Sequence, residues 1–148
     1  MITINAQGLD RFVLAQERDY EIALTEISYG KKQTHWMWYI FPQIQGLGFS
    51  DTAKYYDIKD LKEPTQYYLH PLLGPRLIKV TKELLHHTDK TAYEIFGSPD
   101  ELKLRSSMTL FAAVPHADPV FQQAIDQFFN GEHDQKTQRI LGLQAYGQ

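Results

Sequence analysis

Residues 9–30 read LDRFVLAQERDYEIALTEISYG, and this stretch decides the fold class. Its apolar side chains recur every three or four positions, which places them on one face of an α-helix. Gly30 follows the last turn and is typical of a helix C-terminus. The stretch therefore predicts an amphipathic helix from Leu9 to Tyr29, with Gln16 on its apolar face bonded to a neighbouring helix. The apolar residues of that face are Leu9, Phe12, Val13, Tyr20, Ala23, Leu24 and Ile27.

Outward from this helix, the sequence is divided by helix-start signals. Thr91 with Glu94, and Asp60 with Glu63, have the spacing of capping boxes. The run Ser98-Pro99-Asp100-Glu101 combines an N-cap serine, a proline at the first helical position and an acidic residue at the third. We expect a helix to begin at each of these three places.

Other signals complete the division of the chain into helices. We expect His70-Pro71 and Gly74-Pro75 to break the chain, because proline cannot continue a helix. No alternating strand pattern is flanked by an Asn-Gly or Asp-Gly hairpin turn. We predict an all-α fold: residues 1–148 form one compact domain, a bundle of about six to eight short and medium helices. Further N-cap residues are Ser50, Asp118 and Asp134.

Composition limits the class of protein. The chain has 148 residues, 43% of them hydrophobic and 22% charged, which is ordinary for a globular domain. The net charge of −3 disfavours nucleic acid and anionic membranes as partners. The absence of cysteine excludes disulfides and thiolate-ligated zinc. No apolar run approaches the length of a membrane span, so we expect a soluble, cytoplasmic protein.

Three motifs carry a family resemblance. They are HWMWYIFPQ at residues 35–43, HPLLGPRL at 70–77 and IFGSPDELKLRSSMTLF at 95–111, and LDRFV at 9–13 fits with them. Together they resemble the bacterial family called domain of unknown function 1810, over about residues 9–141. The resemblance implies a small, mainly helical fold, and it brings no established activity or catalytic residue.

Two other names bear on this resemblance. The label calpastatin is sometimes attached to such sequences, but calpastatin-like inhibitors are disordered, repetitive chains, unlike this one. A more distant similarity is to the NADAR family of ADP-ribose-linked N-glycosidases, through the order of Ser106-Ser107-Met108, Gln127-Phe128-Phe129 and Ile140-Leu141. The Glu-His-x-x-x-Gln helix and the Trp-Gly signature are absent from this chain.

A polar stripe follows the third start signal. On a helix, Arg105, Ser106 and Thr109 share one face, and Lys103 lies nearby in sequence. A guanidinium and two hydroxyls on one stripe can hold a phosphate or a carboxylate. The alternative is that the small residues let two helices pack closely while Arg105 pairs with an acidic neighbour.

The aromatic segment after the first helix is the second candidate. Thr34 is placed to cap a short helix that Pro42 ends, although a buried strand is an alternative. Its aromatic rings could stack on a nucleobase or sugar, and its polar ends could bond to the ring edge. The alternative is a core plug. The candidate ligand-binding residues here are His35, Trp36, Trp38, Tyr39 and Gln43.

These candidates favour a pocket for a small polar or phosphorylated ligand, such as a nucleotide or an ADP-ribose-like molecule. If the reaction is a glycosidase-type hydrolysis, Asp100 or Glu101 is the candidate acid or base. The alternative is a non-enzymatic protein-interaction module with Trp36 and Trp38 in an exposed patch. The sequence leaves open whether the protein is an enzyme. We expect no cofactor, and no metal site because His-Glu-x-x-His is absent.

Overall fold

The structure is a computed structural model that describes the backbone of residues 8–146 and the side chains of residues 8–142. This part of the chain contains helices and no named strand; a single parallel bridge joins Ile44 and Ile58. The predicted all-α fold is confirmed. The described helices are α1 (Asp10–Tyr29), α2 (Met37–Ile40), α3 (Asp51–Tyr56), α4 (Glu63–Leu69), α5 (Leu73–Leu85), α6 (Ala92–Phe96), α7 (Asp100–Ala112), α8 (Val120–Phe129) and α9 (Gln135–Tyr146).

Helix α1 forms as its periodicity predicts. Its apolar face is buried, and Gly30 ends it in the left-handed conformation with a φ of 79°. Gln16 is buried on this face, where its Nε2 donates to the carbonyl of Tyr39 at 2.8 Å and to the hydroxyl of Tyr67 at 3.0 Å. The amide therefore links α1 to α2 and α4, as the predicted structural bond requires.

One core holds the helices together. Helix α7 packs against α4, α6, α8 and α9, and α5 lies between α1 and α8. Aromatic rings fill the centre: the ring of Tyr67 lies 5.1 Å from that of Phe12 and 5.3 Å from that of Phe111. Leu104, Met108 and Phe111 form the buried face of α7. Asp100 at the beginning of α7 lies beside Lys32 in the loop after α1, and the candidate site is at this junction.

Several predicted caps are present. The Thr91 hydroxyl accepts from the Glu94 amide, and the Glu94 carboxylate accepts from the Thr91 amide, which completes the predicted capping box. Ser50 accepts from Ala53 at the start of α3. Asp134 accepts from the amide and hydroxyl of Thr137 at the start of α9. These ends are set by local side-chain bonds, which sequence spacing can reveal.

Other start predictions were wrong. Thr34 does not cap α2, because its hydroxyl donates to Glu26 instead and the helix begins at Met37. Helix α7 begins at Asp100, one residue later than expected, and Pro99 occupies the N-cap position predicted for Ser98. The turn before α7 is closed by a backbone bond instead, from the amide of Glu101 to the carbonyl of Gly97 at 3.0 Å.

Two further start predictions need correction. The predicted capping box of Asp60 with Glu63 is half present: the Asp60 carboxylate accepts from the Glu63 amide at 2.9 Å, but the Glu63 carboxylate pairs with Arg11 at 3.0 Å. Gly74-Pro75 does not interrupt α5, which begins at Leu73, because proline is tolerated in the first helical turn. Glycine is required at position 74, since a Cβ there would lie 1.9 Å from the carbonyl oxygen of Tyr68.

None of the helices in the described part of the chain is both long enough and apolar enough to cross a membrane.

The start of α5 should respond to pH. The Nδ1 atom of His70 accepts hydrogen bonds from the amides of Leu72 and Leu73, at 3.1 and 3.2 Å, which only the neutral ring can do. Burial lowers the pKa of His70, and Asp10 opposes the shift. A lowered pKa means that the unfolded chain binds the proton more readily, so this stabilisation is complete above about pH 6.5 and is lost as pH falls.

We expect the His70→Asn variant to keep both cap bonds through its amide oxygen while losing this titration. Urea unfolding at pH 7.5 and pH 5 should show a larger fall in stability for the unsubstituted protein than for the variant. Equal falls in the two proteins would contradict the assignment.

Candidate functional site

The loop between α1 and α2 is fixed by the carboxylate of Glu26. This carboxylate accepts from the amide of Gln33 at 2.8 Å, and from the amide and hydroxyl of Thr34 at 3.0 and 2.7 Å. It also accepts from the indole Nε1 of Trp36 at 2.8 Å. Burial alone would raise the pKa of Glu26, but these hydrogen bonds outweigh it and lower the pKa. An ionised carboxylate therefore holds the loop.

Two of the predicted ligand-binding aromatics belong to the core. The side chain of Trp36 is only 1% exposed, and its ring packs against those of Phe41 and Phe96. Tyr39 is also buried, and its hydroxyl donates to Asp19 and to the carbonyl of His35. Burial, with the Asp19 carboxylate, raises the pKa of Tyr39 to about 12. Neither aromatic ring has a face open to a ligand.

The rest of this segment is more accessible. His35 is exposed, while Trp38 and Gln43 are half-buried and line a small enclosed cavity with Gly48. One face of Trp38 is covered by the ammonium group of Lys103, whose Nζ lies 4.0 Å from the ring centroid. This contact brings the aromatic segment together with the start of α7, the two regions singled out in the sequence.

A carboxylate between two ammonium groups lies at this junction. Asp100 pairs with Lys32 through Oδ2 at 2.9 Å and with Lys103 through Oδ1 at 3.0 Å. Each lysine also lies over a tryptophan ring, because Lys32 Nζ is 5.0 Å from the centroid of Trp36. We call Lys32, Asp100 and Lys103 the Lys–Asp–Lys cluster.

The cluster keeps Asp100 ionised. Burial alone would raise its pKa, but the hydrogen bonds and charges of Lys32 and Lys103 outweigh burial and lower the pKa. A carboxylate with a lowered pKa is a poor proton donor at neutral pH. Of the two roles considered for Asp100, that of base or charged group is therefore favoured over that of acid.

Lys32 also borders an open depression of about 510 Å³, which we call the basic depression. Lys32 joins the loop to α6, since its amide donates to the carbonyl of Ile95 at 2.7 Å. Lys90 closes another side and donates to the carbonyl of Gly30 at 3.1 Å. Three lysines and one acidic residue, Glu94, line this depression. The lining residues are Lys31, Lys32, Lys90, Tyr93, Glu94, Ile95, Phe96 and Gly97.

Sequence reasoning missed this depression. Lys31 and Lys32 directly follow a helix stop and Lys90 directly precedes a capping box, so each has the sequence context of an ordinary loop lysine. Only the contact of the loop after α1 with α6 and the residue before it brings them together. The exposed ring of Tyr93, 62% accessible, gave no signal beyond its aromatic character.

The predicted polar stripe lies elsewhere. Arg105 donates to the carbonyl of Glu132 at 2.8 Å and pairs with its carboxylate at 3.2 Å. The hydroxyl of Thr109 donates to the carbonyl of Arg105 and accepts from the amide of Asp134. Ser106 donates to the carbonyl of Leu102, one turn earlier. The stripe thus holds the turn before α9.

The stripe is also on another side of α7 from the cluster. Residues 103 and 105 are about 200° apart around a helix. Lys103 faces Trp38 on α2, whereas Arg105 faces the turn between α8 and α9. The structure therefore joins Lys103 and Asp100 to the aromatic segment and separates Arg105, Ser106 and Thr109 from it.

The remaining candidate, Glu101, is half-buried, and its Oε1 has no hydrogen-bond partner among the described residues. It follows Asp100 on the helix, so the two carboxylates are directed about 100° apart. Its catalytic assignment stays a prediction. Among the described residues, no group of three or more His, Asp or Glu side chains could hold a metal ion.

Residues 6–141 match the family described as Protein of unknown function (DUF1810). The crystal structure of a conserved hypothetical protein from Mycobacterium tuberculosis is similar, with a TM-score of 0.89 and 42% sequence identity. The similarity covers 90% of this chain and 96% of that chain. No curated protein matched.

The four hydrogen bonds that the Glu26 carboxylate accepts indicate that this residue stabilises the fold. In Glu26→Gln, a neutral amide replaces a charged acceptor of four donors, so we expect the free energy of unfolding to fall by about 1–3 kcal/mol at pH 7. Because the pKa of Glu26 is lowered, its stabilisation is lost as pH falls below about 4.3, and the gap between the two proteins should narrow in acid.

Urea unfolding measures the effect, and Glu17→Gln, at an exposed position of the same helix, is the matched control. Equal losses in the two variants would contradict the role given to Glu26.

Proposed function

This chain belongs to the DUF1810 family, and for this member we propose a binding function: the basic depression takes a small anionic ligand that carries a phosphate group. The observation that carries the proposal is the convergence of Lys31, Lys32 and Lys90 on one open depression, from two separate parts of the chain. Ammonium groups are common phosphate ligands in proteins, where they act as point charges with three donors.

The lining of the basic depression is richer in lysine than the overall charge of the chain would suggest. The protein has a net charge of −3, so nothing in its overall balance would place three lysines together. Glu94 is the one acidic residue lining the depression, and its carboxylate is engaged by the amide of Thr91. Because Lys32 is paired with Asp100, the positive potential that this surface offers an anion comes mainly from Lys31 and Lys90.

The size and lining of the depression support a small organic ligand. A volume of about 510 Å³ is within the usual range for small-molecule sites. The exposed ring of Tyr93 supplies a flat wall against which a sugar or a planar ring can pack. A nucleotide or an ADP-ribose-like molecule, expected from the sequence, falls within this ligand class.

Two other functions have less support. Glycosidase-type hydrolysis needs a carboxylic acid that can donate a proton, and the lowered pKa of Asp100 disfavours it in that role. A protein-interaction module based on Trp36 and Trp38 needs an exposed apolar patch. The burial of Trp36 and the cover of Trp38 by Lys103 speak against such a patch.

The lysines can be tested directly. We expect Lys31→Gln and Lys90→Gln each to weaken the binding of ribose 5-phosphate on the order of tenfold, because each removes one charged contact to the phosphate. Isothermal titration calorimetry with ribose 5-phosphate and with inorganic phosphate gives the affinities. Lys79→Gln and Lys82→Gln, at exposed positions on α5, are matched controls and should leave them unchanged.

The Arg105→Ala variant tests whether the ligand binds in the basic depression or at the polar stripe of α7. Since Arg105 holds the turn before α9, we expect its loss to lower stability and leave affinity for ribose 5-phosphate intact. Loss of binding in Arg105→Ala, with full binding in the two lysine variants, would move the ligand to the stripe and contradict the proposal.

A further inference from the structure

The Lys–Asp–Lys cluster adjoins the basic depression through Lys32, which belongs to both. Its carboxylate, Asp100, is not among the lining residues of the depression. Asp100 nevertheless accepts from the one lysine of the depression whose side chain is largely buried, at 8% exposure. The charge of Lys32 is thus already balanced by a carboxylate of the protein before any ligand binds.

We propose that Asp100 is a specificity-determining residue of the basic depression: as a built-in anion on Lys32, it limits the negative charge that the site accepts. This inference rests on the proposed function. A ligand phosphate near Lys32 also comes near the Asp100 carboxylate, and like charges repel strongly where water is partly excluded. Each additional negative charge on the ligand increases that repulsion, so the site favours a single phosphate over a polyphosphate.

Lys103 partly neutralises the same Asp100 carboxylate from outside the depression. It lies outside the depression, over Trp38, and its ammonium group shares the Asp100 carboxylate with Lys32. Without Lys103, the carboxylate would interact with Lys32 alone and its charge would be less compensated. Lys103 therefore influences ligand affinity through Asp100 and has no direct contact with the ligand.

The test is a charge series of ligands. We expect the unsubstituted protein to bind inorganic phosphate more tightly than pyrophosphate at constant ionic strength. Asp100→Asn should strengthen the binding of pyrophosphate on the order of tenfold and that of phosphate by less. Asp126→Asn, an exposed residue of α8, makes the same change in net charge and should alter neither affinity. Isothermal titration calorimetry measures the affinity of each of the three proteins for each of the two anions.

A second variant keeps the inference testable if Asp100→Asn does not fold. Lys103→Gln should weaken pyrophosphate binding more than phosphate binding. Where Asp100→Asn does fold, adding Lys103→Gln to it should have little further effect, because the two act as one unit. A loss confined to overall stability, with unchanged preference between the two anions, would contradict a role in specificity.

The outcomes separate the two proposals. If the unsubstituted protein binds phosphate but Asp100→Asn and Asp126→Asn change the affinities equally, the inference fails and the binding function stands. If neither the unsubstituted protein nor Asp100→Asn binds either anion, the binding function fails. Binding by Asp100→Asn alone would support Asp100 as the residue that excludes anions and would contradict phosphate as the ligand group.

Discussion

The carboxylate of Glu26 is the contact on which the candidate site depends. Four donors from one short loop converge on it, three from Gln33 and Thr34 and one from the indole of Trp36. Because α1 ends at Gly30, the chain must turn back at once, and the loop that does so has no helical bonds of its own. The hydrogen-bond donors of the loop are satisfied by Glu26, which lies in the last turn of α1. One ionised group therefore satisfies four hydrogen-bond donors of the loop.

Packing contacts connect this ordered loop to α6 and to the surface depression. The indole of Trp36 donates to Glu26, and its ring packs in the core against those of Phe41 and Phe96, the latter on α6. The amide of Lys32 then reaches the carbonyl of Ile95, which completes the contact between loop and helix. The lysine side chains project from this junction. A buried Lys32 is tolerated there because a carboxylate and an aromatic face replace part of its hydration.

The sequence predicted what local periodicity and capping determine. The apolar face of α1, its end at Gly30 and the capping box of Thr91 with Glu94 all follow from spacing along the chain, and all are present. Thr34 was misassigned because its hydroxyl competes for a partner on another helix, Glu26, which spacing cannot show. The start of α5 was misplaced because a proline in a first helical turn and one after a helix have similar sequence context.

The site was predictable only in part, because it also depends on contacts between separate parts of the chain. Asp100, Lys103 and Trp38 were singled out from residue type, and the packing of α2 against the start of α7 joins them. Lys31, Lys32 and Lys90 were not, because their grouping depends on the tertiary contact of the loop after α1 with α6. Amide NMR of isotope-labelled protein titrated with phosphate tests that grouping most directly. We expect shifts at residues 31–32, 90–97 and 100–103, whereas shifts confined to residues 105–109 and 132–134, or none at saturating phosphate, would contradict it.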